Sequence, residues 1–83
     1  MKKNMYMIIA SPEGILFEGN VESAKVPGAL GTFMVLPRHA PIISSLINGK
    51  LTYSLCGNTS EITIQSGFVE VNKDAISVCV EIQ

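Results

Sequence analysis

His39 is the single histidine of the chain and lies in Pro37-Arg38-His39-Ala40-Pro41, which makes it the first residue to test for acid–base chemistry. A general base needs a carboxylate to orient it or a nucleophile to serve. The sequence neighbours of His39 offer neither, being apolar residues, proline and an arginine. Ser44 and Ser45 follow by five and six positions, without the Gly-X-Ser-X-Gly turn that strains a serine into reach of its substrate. Cys56 and Cys79 are the only thiols, and with His39 they make three soft ligands, one short of the four that close a structural zinc site. They read as two free thiols on or near strands, with no metal and no cofactor. Gly28-Ala29-Leu30-Gly31 has neither the lysine nor the following helix of a phosphate-binding loop. No catalytic residue is predicted.

What these residues can do is make contacts. Between Val26 and Leu46 stand three of the four prolines and the histidine. Pro27-Gly28 and Gly31 break the backbone, Phe33 to Leu36 form a short apolar run, and Pro37 with Pro41 brackets a stiff turn presenting Arg38, His39 and Ala40. Residues ordered in advance lose less entropy on meeting a partner, so the segment predicts a docking surface.

The frame that must carry such a loop is all β. Leu51, Tyr53 and Leu55 alternate with Thr52 and Ser54, and Ile76, Val78, Val80 and Ile82 alternate with Ser77, Cys79 and Glu81. Period-two alternation of this kind gives each strand an inner and an outer side. The pattern predicts strands at 5–10, 14–19, 21–26, 32–36, 42–47, 50–56, 60–65, 68–71 and 75–82, with hairpin turns at Gly57-Asn58 and Asn72-Lys73-Asp74. Nine to ten short strands with close turns imply a two-sheet β-sandwich or flattened barrel. The expected organisation is one domain over residues 1–83, with no helical hairpin after Gln83. Tyr6 to Ile9, Phe33 to Leu36 and Ile42 to Ile43 carry more apolar surface than one core face requires, so they are either strands buried on both sides or contacts with a partner.

A net charge of −1 and a charged fraction of 16% provide no basic field, which argues against nucleic acid. Lys2 and Lys3 before Tyr6 to Ala10 imitate a signal peptide, but the apolar run is short and passes straight into Ser11-Pro12-Glu13-Gly14. A strand is expected there. With no run approaching about eighteen apolar residues, the chain is expected to be soluble and to meet a membrane only through a partner. A rival reading is a free-standing β-sandwich module for a small ligand or carbohydrate, stacking on Tyr6, Phe33 and Tyr53. Aromatics at 6% and the lack of tryptophan argue against it.

Four segments in order carry a family resemblance: Ser11-Pro12-Glu13-Gly14-Ile15-Leu16-Phe17-Glu18-Gly19, Val26-Pro27-Gly28 with Gly31, Val35-Leu36-Pro37-Arg38-His39-Ala40-Pro41, and Gly67-Phe68-Val69-Glu70-Val71. Together they resemble the amino-terminal β-sandwich domain of the epsilon subunit of the bacterial rotary ATP synthase. The resemblance implies two five-stranded sheets packed face to face in a noncatalytic rotor part of the central stalk, which links gamma to the c-ring and couples proton flow to ATP synthesis. It implies that Gly28, Ala29, Leu30, Gly31, Thr32, Phe33 and Met34 face the c-ring, and that Ser11, Arg38, His39, Ala40, Pro41 and Ser44 lie toward gamma. It further implies a peripheral place at the cytoplasmic face of the bacterial inner membrane, with no homo-oligomer required. Two departures stand out. Most members place glycine where this chain has Met34 and Arg38, and the longer ones continue into a two-helix domain that restrains ATP hydrolysis, which this sequence does not contain. Neither inhibition nor nucleotide sensing is therefore carried over.

Overall fold

The computed structural model describes residues 4–82. Among them are eight strands and no helix: β1 (Met5–Ser11), β2 (Gly14–Val21), β3 (Ser23–Gly28), β4 (Gly31–Val35), β5 (Ile42–Leu46), β6 (Gly49–Leu55), β7 (Asn58–Asn72) and β8 (Ala75–Ile82). The strands hydrogen-bond in the order β2-β1-β8-β7-β5-β3-β4, while β6 bridges β3 and the first half of β7. One layer is thus β2-β1-β8-β7-β5 and the other β4-β3-β6-β7, and the long β7 passes from one to the other. The all-β sandwich expected from the alternation is present. Phe17 of β2 meets Tyr53 of β6 with ring centroids 4.3 Å apart, joining the two layers away from the strand that they share.

Alternation explains the core. Met5, Met7 and Ile9 of β1, Val69 and Val71 of β7, and Ile76, Val78 and Val80 of β8 all point inward and are buried. From the opposite layer Val26, Val35, Leu51 and Ile64 complete a single apolar cluster. No polar or charged residue is fully buried among the described residues. The interior therefore incurs no desolvation cost for unpaired charge.

One boundary differs from the sequence reading. The segments 60–65 and 68–71 form one strand, β7, running through Ser66-Gly67 with a register shift between Ile64 and Ser66. Gly67 is not a break but a close approach: a Cβ there would stand 2.2 Å from the Cys79 carbonyl oxygen and 3.0 Å from the Val80 Cα. The irregularity lets β7 leave one layer and enter the other. This merger turns the nine strands of the alternation pattern into eight, and the layers hold five and four strands, β7 being counted in both, where the resemblance implies five and five. The two expected hairpins are present, with left-handed backbone at Cys56-Gly57 (φ 53° and 79°) and at Lys73-Asp74 (φ 50° and 63°). Two consecutive positive φ values are the mark of the type I′ turn, whose twist matches paired antiparallel strands.

Candidate docking surface

Residues 28–34 form a tight hairpin in which β3 turns into β4 through Ala29-Leu30, with Gly28 paired to Gly31. Gly28 is required there, because a Cβ would lie 2.8 Å from both the Gly31 carbonyl oxygen and the Phe33 ring. The hairpin is tied to the end of β5: Ala29 N–H donates to the Ser45 carbonyl and Ile47 N–H to the Pro27 carbonyl, each at 2.9 Å. At its tip Leu30 is fully exposed (105%), and Met34 is exposed on the outer side of β4. A rigid turn that holds a leucine entirely in water presents apolar surface without reorganisation on contact.

At the opposite end of β4, residues 36–41 form the second presented segment. His39 N–H donates to the Leu36 carbonyl at 3.1 Å, closing a turn with Pro37 second and Arg38 third. Arg38 has φ 69°. Proline at the second place and left-handed backbone at the third define a type II turn, whose third residue is ordinarily glycine. The glycine-to-arginine departure thus falls on a position that demands glycine-like backbone, whereas Met34 is absent from the positive-φ residues. The Arg38 N–H donates to Asp74 Oδ1 at 2.7 Å. The His39 ring nitrogen Nδ1 pairs with the Ala40 carbonyl at 2.7 Å, which fixes the half-buried ring against its own loop.

Between these segments lies the outer face of β1, β8, β7 and β5. Its register places Ala10, Cys79, Phe68 and Ser45 in one row and Ile8, Ser77, Glu70 and Ile43 in the next. Phe68 (52%) and Ile43 (74%) are exposed, so the rows present apolar side chains that the core does not use, set among Ser45, Ser77 and Glu70. Ser11, Phe68, Cys79 and Glu81 line an open groove of about 530 Å³ at one end. Pro41, Ile43 and Glu70 line a second of about 350 Å³ at the other. Ser11 and Pro41 stand at opposite ends of this sheet, offset by about 17 Å along the strands and by three strands across it. Ser44 lies on the inward side of β5 in the row of Val69, Val78 and Ile9, half-buried, with its hydroxyl donating to the Ser45 carbonyl at 3.0 Å. Phe68 and Cys79 lie on this face without being among the residues that the sequence assigns to an interface. The signal was Phe68 standing in the outward phase of an alternating strand.

Tyr6 stands on the same outer side of β1, and its hydroxyl donates to Glu18 Oε2 on β2. That hydrogen bond, with minor contributions from desolvation and the Glu18 charge, raises the Tyr6 pKa above the ordinary 10.0. Among the described residues no three histidine, cysteine, aspartate or glutamate side chains converge to hold a metal ion.

Fold and surface define a small β-sandwich domain with a saturated apolar core, apolar side chains on its outer face, and two stiff presented turns. Residues 4–82 match the family described as "ATP synthase, Delta/Epsilon chain, beta-sandwich domain", and the chain belongs to that family. It is 39% identical over 70 residues to the ATP synthase epsilon chain of Leptospira borgpetersenii, covering 84% of this chain and 55% of that one. To the ATP synthase epsilon chain of Caulobacter vibrioides it is 35% identical over 77 residues, covering 93% of this chain and 90% of the relative. The chain thus spans about half the length of the first relative and nearly all of the second. Its fold is shared, at a TM-score of 0.88 and 18% identity, by a chain in the cryo-EM structure of Euglena gracilis mitochondrial ATP synthase with OSCP, F1 and c-ring; the likeness covers 93% of this chain and 50% of that one.

Proposed function

We propose that the protein is a noncatalytic central-stalk subunit of a proton-translocating ATP synthase, joining gamma to the c-ring and helping to couple proton flow to ATP synthesis. The carrying observation is the placement of two separate presented surfaces on one saturated sandwich. The Ala29-Leu30 hairpin tip and the 36–41 turn lie at the two ends of five-residue β4, about 17 Å apart. In this reading Gly28 to Met34 meet the c-ring, with Leu30 as the anchor. Ser11, Arg38, His39, Ala40 and Pro41 border the gamma contact, and Phe68 and Ile43 supply its apolar centre; Ser44, turned to the inward side of β5, is left out of it. Two interfaces of about 800 Å² each would occupy roughly a third of the 5133 Å² surface, which leaves room for both partners at once. The place of work is the periphery of the bacterial inner membrane on its cytoplasmic face.

Mixing the purified chain with the gamma subunit and with detergent-solubilised c-ring tests this directly. A complex with each partner that survives gel filtration is expected. A chain that elutes alone from both mixtures sinks the proposal.

A further inference from the structure

The turn that presents His39 contains a residue ill suited to its backbone. Type I and type II turns differ mainly by a flip of the peptide between their second and third residues, and type II needs positive φ at the third. Here that peptide joins Pro37 to Arg38, and its N–H is not the one that closes the turn, since His39 N–H donates to the Leu36 carbonyl. Pro37 suits the second place of either turn and so does not choose between them, while a side chain at the φ of 69° that Arg38 adopts works against the flipped peptide. An acceptor for its N–H comes from 36 positions away: Asp74 Oδ1 receives the Arg38 N–H at 2.7 Å. Asp74 is itself fixed by the β7–β8 turn, where its φ is 63°, and its carbonyl accepts the Tyr6 N–H at 2.9 Å. The carboxylate is therefore offered from a base held by three strands.

We propose that Asp74 is a positioning residue, whose carboxylate holds the Pro37–Arg38 peptide in the type II orientation and so presents His39, Ala40 and Pro41 to the gamma subunit. The last clause rests on the docking role proposed above. A charged acceptor makes the stronger kind of hydrogen bond to a backbone N–H, and in this place it discriminates between two turn shapes. Glycine at position 38 would adopt the turn unaided. Arg38 and Asp74 thus act as a pair that replaces one glycine, with the added consequence that the docking turn is clamped to the β7–β8 hairpin.

Amide hydrogen exchange on the 83-residue chain, combined with binding to purified gamma, tests the pair. Asp74→Ala is expected to speed exchange of the Arg38 amide about tenfold while Val69 and Val78 keep their rates, and to weaken gamma binding several-fold. Asp74→Asn keeps an acceptor oxygen and is expected to recover most of both. In the Arg38→Gly background Asp74→Ala should change gamma affinity less than about twofold, because the turn no longer needs the carboxylate. An unchanged Arg38 amide, or equal loss of protection along β7 and β8, overturns the assignment, as does an undiminished binding loss in the glycine background. Should the turn open as expected while gamma binding stays intact, the loop's docking role fails and the positioning of the turn stands.

Discussion

The Tyr6 hydroxyl and the Glu18 carboxylate link the outer sides of β1 and β2, and the bond has a pH signature whose sign is fixed by which group loses a proton. Ionising Tyr6 would remove the donor and set a phenolate beside a carboxylate, which is why its pKa is raised. A group whose folded pKa exceeds its unfolded value contributes stability that is fully present below the unfolded pKa and is lost as pH rises through the folded one. The contribution therefore persists up to about pH 10 and fades above it, in the range of the phenol. Absorbance titration of the phenolate should place Tyr6 above 10.0 in the native protein, and Glu18→Gln should move it back toward that value. A Tyr6 titration unchanged by that substitution would show that the bond is not made in solution. Pairings of this type were not legible in the sequence, since Tyr6 and Glu18 are twelve positions apart and meet only through strand register. The left-handed backbone at Arg38 was legible only as a departure from the family's glycine.

Strand alternation made most elements legible to within two residues, because each strand buries one side and the apolar phase records which. It misled at Ser66-Gly67, where a glycine read as punctuation is a residue of β7 over which β8 packs at the Cys79 carbonyl. Composition cannot separate these two uses of glycine; only the opposing backbone can. At Ile42-Ile43 the alternation left open whether both residues were core. The register turns Ile42 inward opposite Val71 and leaves Ile43 outward beside Glu70. The structural demand at Gly67 is easily measured. Gly67→Ala forces a methyl to within 2.2 Å of the Cys79 carbonyl oxygen, a backbone atom that cannot rotate away. Overpacking of this kind costs about 1–3 kcal/mol, and the backbone clash places this case at the upper end. Its thermal midpoint should fall by more than about 10 °C for a domain of this size. Ser66→Ala, at the exposed neighbouring position, should stay within about 0.5 kcal/mol of the parent protein in urea melts. Equal melts for the two would mean that β8 can shift to admit a side chain.

For the whole molecule the question is whether its two presented surfaces act independently. The sandwich measures 37 × 23 × 18 Å, its core is one cluster, and both turns hydrogen-bond into it, the hairpin through Ser45 and Pro27 and the other turn through Asp74. One core cluster with both turns bonded to the strands offers no obvious internal hinge, which suits the proposed link between gamma and the c-ring. Rigidity of this sort also makes the interfaces separable, because a surface change at one end has no soft element through which to alter the other. Leu30→Glu puts a charge at a fully exposed tip, and Phe68→Asp puts one on the outer face. Exposed substitutions usually shift stability by about 0.5 kcal/mol or less, so both proteins should melt near the parent. Charging an apolar anchor typically costs tenfold or more in affinity, so Leu30→Glu should lose c-ring association and keep gamma, while Phe68→Asp should do the reverse. If either variant loses both partners while melting normally, the two surfaces form one continuous footprint, and the adaptor reading gives way to a single-interface subunit.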